Sequence, residues 1–190
     1  QKNIISKGFD CFAGQYTNGA GVLQPANRSV LIESPTGSGK TPMGLSLARC
    51  MQVHHKDVDV YWVAMRRELL AQSISQNNQH GIGLDFKTLS MFENDVPERQ
   101  NGRKVMLVID EAQHDSTSTM AKIHEKLQPD WILGLSATPF RTDRVKLCFE
   151  RTIKDAGIHQ LIQQKYLSQY DHYTIPSWDV NSLADLYAAD

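Results

Sequence analysis

The chain has 190 residues, 41% of them hydrophobic, which is enough to bury one core of ordinary size. Its 20 basic and 21 acidic residues nearly cancel, so the composition excludes a basic field spread over the whole chain. No run approaches the roughly 20 apolar residues of a membrane span, and we expect no membrane partner. The three cysteines are far apart in sequence, which argues against a disulfide framework or a zinc site and predicts an intracellular, cytoplasmic protein.

The first part of the chain combines a short helix with an irregular segment. Apolar residues over 4–12 predict the helix. Residues 13–29 are rich in Gly, Asn and Pro and show little periodicity, so we predict a mobile loop there. The chain begins without Met, and we expect it to be an excised or processed piece of a longer protein.

From residue 30 onward, apolar runs alternate with segments of helical pattern. The predicted strands are 30–32, 58–64, 105–109 and 131–135, with a further short strand closing at Thr88-Leu89. The predicted helices between them are 42–52, 67–76 and 117–127. This alternation predicts an α/β fold with a central parallel sheet and helices on both faces.

The pattern changes after residue 141. We predict helices over 144–152 and 158–166, an extended piece at 172–175 and a terminal helix over 180–190.

A glycine-rich segment, SPTGSGKT at 34–41, stands between the first predicted strand and its helix. Gly37 and Gly39 permit the backbone angles that turn successive N–H groups toward phosphate oxygens. Lys40 would reach the β- and γ-phosphates, and the Thr41 hydroxyl would hold Mg²⁺. The loop departs from the pattern GxxxxGK[ST] only in having Ser34 at the first glycine. We therefore predict binding of ATP or another nucleoside triphosphate with Mg²⁺, through the loop residues Pro35, Thr36, Gly37, Ser38, Gly39, Lys40 and Thr41.

Two adjacent acids, Asp110 and Glu111, follow the apolar strand 105–109. Such acids at the carboxyl edge of a sheet could serve a triphosphate: Asp110 would hold Mg²⁺ and Glu111 would orient or deprotonate the attacking water. Alone, the pair could equally be a solvated turn, but the phosphate loop earlier in the chain favours the catalytic interpretation. Lys40, Asp110 and Glu111 are thus the candidate catalytic residues.

The next strand ends in Ser136-Ala137-Thr138-Pro139. Small hydroxyl side chains there could bond to a neighbouring acid and transmit a change at the γ-phosphate. The alternative is a simple strand exit ended by proline.

These segments together resemble a known family. SPTGSGKT, DEAQ at 110–113 and SAT at 136–138 resemble motifs I, II and III of superfamily 2 helicases and translocases. Residues 133–141 are especially similar to the type III restriction-subunit branch and related bacterial DNA-repair helicases. The resemblance implies a RecA-like first domain over 1–175, with 176–190 as a linker toward a second RecA-like domain. It also implies Mg-ATP hydrolysis coupled to movement on nucleic acid, with DNA favoured over RNA.

The resemblance assigns further roles. Gln1 falls where the family reads adenine, and the coupling residues would be Gln113, Ser136 and Thr138. DEAQ departs from the commoner DEAD and DEAH at the position of Gln113. Nucleic-acid contacts fall on Arg66 and Arg67 in a segment resembling motif Ia and on Thr88 in a later motif, with Lys87 and Arg141 as further candidates.

Several alternatives remain at this point. Arg66 or Arg67 could merely pair with Glu68. The histidines at 54, 55 and 114 have no ligand spacing around them and are expected to be solvated or core residues. The chain could be a non-motor P-loop NTPase or switch, or a binding module with a degenerate ATP site. Because family members receive arginines from the second domain, we expect weak ATP turnover from these residues alone.

Overall fold

The computed structural model describes residues 1–93, 95–114, 118–140, 147–154, 157–163, 165 and 168. Its centre is a six-stranded, all-parallel sheet with the strand order β3-β2-β4-β5-β1-β6. The strands are β1 Ser29–Glu33, β2 Val58–Ala64, β3 Lys87–Ser90, β4 Lys104–Asp110, β5 Trp131–Ser136 and β6 Arg151–Lys154. The helices are α1 Lys2–Ala13, α2 Lys40–His54, α3 Arg67–Gln79, α4 Ser118–Leu127 and α5 Ile158–Gln163, with a 3-10 turn at Ala112–His114. The predicted α/β class is confirmed.

Both faces of the sheet are covered, and for this reason the central strands are apolar on both sides. Alternate residues such as Ile32, Trp62 and Val108 pack under α1, α2 and α3. Their neighbours in sequence, such as Leu31 and Leu107, pack with α4 on the opposite face. A parallel sheet needs this double cover because its crossover helices must lie against its faces.

The strand order brings three loops to one edge of the sheet. Strand β5 lies between β1 and β4, with Glu33 opposite Ser136 and Leu135 opposite Asp110. The segments that follow β1, β4 and β5 therefore meet at the carboxyl edge, where α/β folds bind their ligands.

The prediction of a helix over 144–152 is wrong for residues 147–152, which are the part of that range that the structure describes. Residues 147–150 are not helical, and Arg151–Lys154 forms β6 alongside β1. The reason lies in tertiary packing: the Phe149 ring occupies the space above Gly134, where an added Cβ would come within 2.4 Å of its Cζ. Burial against the sheet and pairing with β1 thus override the local helical pattern.

The remaining predictions divide by location. α1 is confirmed and ends at Gly14, whose φ of 68° is left-handed. Residues 14–28 contain no helix and include one bridge, Thr17 to Leu23, while their mobility stays a prediction. α5 begins at Ile158 as predicted. The extended piece at 172–175, the terminal helix and the linker over 176–190 lie outside the described residues.

Among the helices described, none has the length and apolarity to cross a bilayer.

Candidate functional site

The phosphate loop connects β1 to α2 through two left-handed glycines. Gly37 has φ 80° and Gly39 has φ 89°, angles that cost other residues about 1–2 kcal/mol. Gly39 is also the N-cap of α2, and no side chain caps the first turn of that helix. The first amides of α2 are therefore available to an anion in the loop.

Ser34 replaces the first glycine of the motif without strain. It is not among the described residues with positive φ, so its position does not require glycine. Its side chain is buried, and its Oγ lies 2.5 Å from Ser38 Oγ. Its backbone N–H donates to Ser136 O over 3.0 Å. The serine thus fastens the start of the loop to β5.

Lys40 lies at the base of the loop with only 8% of its surface exposed. Its Nζ donates to Pro35 O over 3.4 Å, a long contact for an ammonium group. A buried ammonium with one long hydrogen bond would gain from a phosphate oxygen nearby. Thr41 follows it, half-buried in the first turn of α2.

Gln1 contacts the loop directly. Its Nε2 donates to Ser38 O over 3.0 Å. A Cβ added to Gly39 would lie 2.5 Å from the same nitrogen, so the glutamine amide covers the loop at this point. The N-cap of α1 and the phosphate loop are therefore in contact, although 37 residues separate Gln1 from Ser38.

Asp110 ends β4 and is 5% exposed. Burial, together with the neighbouring Glu111 carboxylate, raises the pKa of its carboxyl from 3.8 to about 6. The Glu111 N–H, the Lys40 ammonium and the Trp62 indole act in the opposite direction on this pKa. Lys40 and Asp110 are thus close enough to interact, as the sequence motifs predict.

The donors at this site suit Mg²⁺. The Asp110 carboxylate and the Thr41 hydroxyl are hard oxygen ligands, and Mg²⁺ bound to a nucleotide needs only one or two such groups besides phosphate. No cluster of three or more His, Cys, Asp or Glu that could hold a metal occurs in the described part of the chain. His55 instead stacks on Trp131, with ring centroids 4.6 Å apart.

Glu111 adopts a left-handed backbone with φ 52°, uncommon for a residue with a Cβ. Such conformations cost of order 1–3 kcal/mol and persist where the surrounding structure imposes them. Its carboxylate accepts a hydrogen bond from Gln113 Nε2 over 2.7 Å. The turn therefore holds the Glu111 side chain in one direction.

Gln113 connects Glu111 to β5. Its Oε1 accepts from Ser136 Oγ over 2.6 Å. The amide orientation follows from chemistry, because the Glu111 carboxylate only accepts hydrogen bonds and must face the NH₂ group. Ser136 Oγ also accepts from Thr138 N over 3.0 Å, so Thr138 contributes its backbone to this network.

The candidate nucleic-acid residues fall into two groups. Arg66 is the N-cap of α3 and Arg67 its first residue, and both are exposed. Within the described ranges neither guanidinium forms an ion pair, with Glu68 or otherwise. Thr88 lies inside β3, opposite Trp62 and half-buried, so the threonine does not follow the strand as its motif suggests.

The residues that follow β3, Met91 and Phe92, lie at the carboxyl edge of the sheet. Met91 N donates to Ala64 O over 3.0 Å, which keeps this segment beside the end of β2, and Phe92 is 60% exposed there. Lys87 lies at the opposite end of β3, with its Nζ 5.3 Å from the Tyr61 ring centroid. Arg141 is outside the described residues.

Trp62 lies within the predicted strand 58–64, where the apolar pattern indicates core packing and no further role. The ring is buried in the core as expected, yet its N–H lies on the face of the sheet that carries Asp110. The period-2 pattern of each strand assigns Trp62 and Asp110 to a face, but only the strand order makes β2 and β4 neighbours.

Comparisons with known proteins agree with this architecture. The family model for the type III restriction enzyme, res subunit, matches residues 1–87 and 73–141. A "51.5 kDa protein" of Lactococcus phage (isolate 7-9) is 28% identical over 158 residues, which cover 80% of this chain and 34% of the phage protein. The chain therefore spans about a third of that relative.

A solved structure shares the fold. The Sulfolobus solfataricus SWI2/SNF2 ATPase core in complex with dsDNA matches with a TM-score of 0.52 and 13% identity. The match covers 73% of this chain and 31% of that one.

Proposed function

Because the chain belongs to the family of type III restriction enzyme res subunits and is a superfamily 2 motor domain, we propose that it hydrolyses Mg-ATP to drive movement on nucleic acid. One observation carries the proposal: the phosphate loop, Asp110 and Glu111 converge at one edge of the sheet, with Lys40 close enough to act on the Asp110 carboxyl. An intracellular location fits this activity.

Each residue of the site has a distinct task. Lys40 and the first amides of α2 bind the phosphates, and Thr41 and Asp110 hold Mg²⁺. When bound, Mg²⁺ would neutralise the negative charge on the phosphate oxygens. Glu111 orients the attacking water and accepts its proton. Gln1 binds the adenine edge from its position over the loop.

Coupling runs through the network of Glu111, Gln113 and Ser136. A change at the γ-phosphate that moves the Glu111 carboxylate alters its hydrogen bond with Gln113, and through it the bond with Ser136. Because Ser136 also binds Ser34 and Thr138 through its backbone and hydroxyl, the end of β5 responds with the loop. Contacts between the nucleic acid and the residues after Thr138 then change with the nucleotide state.

The nucleic-acid contacts lie on Arg66 and Arg67 at the start of α3, with Thr88 as a further candidate. Two exposed guanidiniums beside helix N-terminal amides suit a phosphate backbone. DNA is favoured over RNA because the matched family model is that of a restriction enzyme subunit and the structure of similar fold is described in complex with dsDNA.

A second RecA-like domain would complete the cleft by supplying arginines to the γ-phosphate. An arginine supplied across such a cleft is worth about 10³- to 10⁵-fold in phosphoryl transfer. The chain alone is therefore expected to bind Mg-ATP but to turn it over slowly.

The test is binding and hydrolysis of ATP by the wild-type chain and by Lys40→Ala. Calorimetry should show Mg-ATP binding that Lys40→Ala weakens at least tenfold, and DNA should stimulate the residual ATPase. Lys56→Ala, which changes an exposed lysine two residues after the end of α2, is the matched control and should behave as wild type. Absence of Mg-ATP binding would refute the proposal, and hydrolysis indifferent to DNA and RNA would favour a non-motor NTPase.

A further inference from the structure

The Trp62 indole nitrogen is a buried donor beside the candidate metal site. The ring is fully buried, and its Nε1 has no hydrogen-bond partner among the described residues. A buried N–H without an acceptor costs about 1–3 kcal/mol, so its position calls for an explanation.

The sheet geometry directs this donor toward Asp110. Trp62 is in register with Val108, and Asp110 lies two residues further along β4 on the same face. With neighbouring strands about 4.8 Å apart and a rise of about 3.3 Å per residue, the two Cα atoms lie about 8 Å apart, within reach of an aromatic side chain. The indole and the Asp110 carboxylate are close enough to interact, although the N–H completes no hydrogen bond.

The amino-terminal part of α2 holds the ring in place. A Cβ on Gly44 would lie 3.1 Å from Trp62 Cη2 and 2.7 Å from Leu135 Cδ1, so the helix approaches the ring closely. The turn before Gly44 carries Lys40 and Thr41. The indole is thus confined between the phosphate-loop helix and the sheet, with little freedom to turn its N–H elsewhere.

Asp110 has an oxygen to receive this donor. Its Oδ1 already accepts from the Glu111 N–H over 3.1 Å, and no described residue donates to Oδ2. A carboxylate that gives one oxygen to a cation is commonly fixed by a hydrogen bond on the other.

We propose that Trp62 is a positioning residue for the metal site, whose indole N–H donates to the Asp110 carboxylate when that carboxylate holds Mg²⁺ beside ATP. The inference rests on the proposed function, since it requires Asp110 to be a metal ligand. Trp62 itself touches neither the metal nor the nucleotide. Its effect is to hold the carboxylate in one orientation toward the cation.

The first experiment compares ATP-analogue binding with Mg²⁺ and with EDTA, using an analogue whose β,γ bridge cannot be hydrolysed. Trp62→Phe keeps an aromatic ring but loses the pyrrole part of the indole with its N–H, so the gain in affinity from Mg²⁺ should shrink about tenfold while binding in EDTA is unchanged. Trp131→Phe, the same change at the amino end of β5, is the matched control. An unchanged Mg²⁺ gain in Trp62→Phe would overturn the inference.

A second measurement uses the wild-type fold and so does not depend on the variant's stability. The chain has three tryptophans, and the Trp62 indole N–H resonance can be assigned by elimination with Trp131→Phe and Trp178→Phe. Adding Mg²⁺ to the analogue-bound protein should move that proton resonance downfield, as a forming hydrogen bond does. If the resonance does not move although Mg²⁺-dependent binding is normal, only the inference about Trp62 is refuted. If the wild-type protein shows no Mg²⁺-dependent binding, the proposed function is refuted.

Discussion

Ser136 Oγ donates to Gln113 Oε1 over 2.6 Å, which joins the end of β5 to the turn after β4. The same glutamine donates to Glu111 over 2.7 Å. One amide side chain therefore bridges the candidate catalytic carboxylate and the strand exit.

Gln113→Ala should uncouple hydrolysis from nucleic acid. Mg-ATP affinity should stay within about twofold of wild type, because Gln113 hydrogen-bonds to Glu111 and Ser136 and not to the phosphate loop, while stimulation of the ATPase by DNA should fall about tenfold. Gln100→Ala, an exposed glutamine in the loop before β4, serves as control. Full DNA stimulation in Gln113→Ala would exclude this bridge as the coupling path.

Asp110→Asn should stabilise the ligand-free protein at neutral pH. The carboxyl has a pKa of about 6 when folded against an ordinary value of 3.8, so the folded state binds more protons between these values. The free energy of unfolding therefore falls as pH rises from about 4 to 6, by up to about 3 kcal/mol. Asp110→Asn removes this loss, and its advantage should vanish below pH 4, where both states are protonated.

Urea denaturation across pH 4–8 measures this effect. Asp85→Asn changes an exposed carboxyl in the segment before β3 and should shift stability by no more than about 0.5 kcal/mol. Equal stability of Asp110→Asn and wild type at pH 7.5 would contradict the burial of an ionised Asp110.

A double-mutant cycle tests the position of β6. Gly134→Ala places a Cβ 2.4 Å from Phe149 Cζ and 2.9 Å from Leu31 Cδ1, so it should destabilise the fold by about 1–3 kcal/mol. Phe149→Leu removes the nearest atoms, and in that background the cost of Gly134→Ala should fall by at least about 0.5 kcal/mol. Strict additivity in chemical denaturation would mean that Phe149 does not pack on Gly134.

Arg66→Ala and Arg67→Ala should weaken DNA binding through loss of phosphate contacts. Each phosphate contact contributes about 0.9 to the slope of log affinity against log salt concentration, so losing one should reduce the slope by about 1. Binding titrations of random-sequence DNA at several salt concentrations give this slope. Lys122→Ala on the outer side of α4 should leave it unchanged, and an unchanged slope in both arginine variants would place the nucleic acid elsewhere.

The phosphate loop and the strand-helix alternation could be predicted from the sequence because both depend on local chemistry. Gly37 and Gly39 set backbone angles that other residues avoid, and apolar periodicity identifies strands and helices before their partners are known. The acids at the end of β4 and the hydroxyls at the end of β5 could be assigned to one edge because parallel strands end together.

The tertiary structure alone decided which of these side chains meet. Strand order places β5 between β1 and β4, and this brings Ser136 to both Gln113 and Ser34. The same order makes β2 the neighbour of β4 and directs Trp62 toward Asp110, and it offers β1 as the partner that turns 151–154 into a strand. These contacts join residues distant in the chain, and their energies depend on burial and pairing that no local pattern contains.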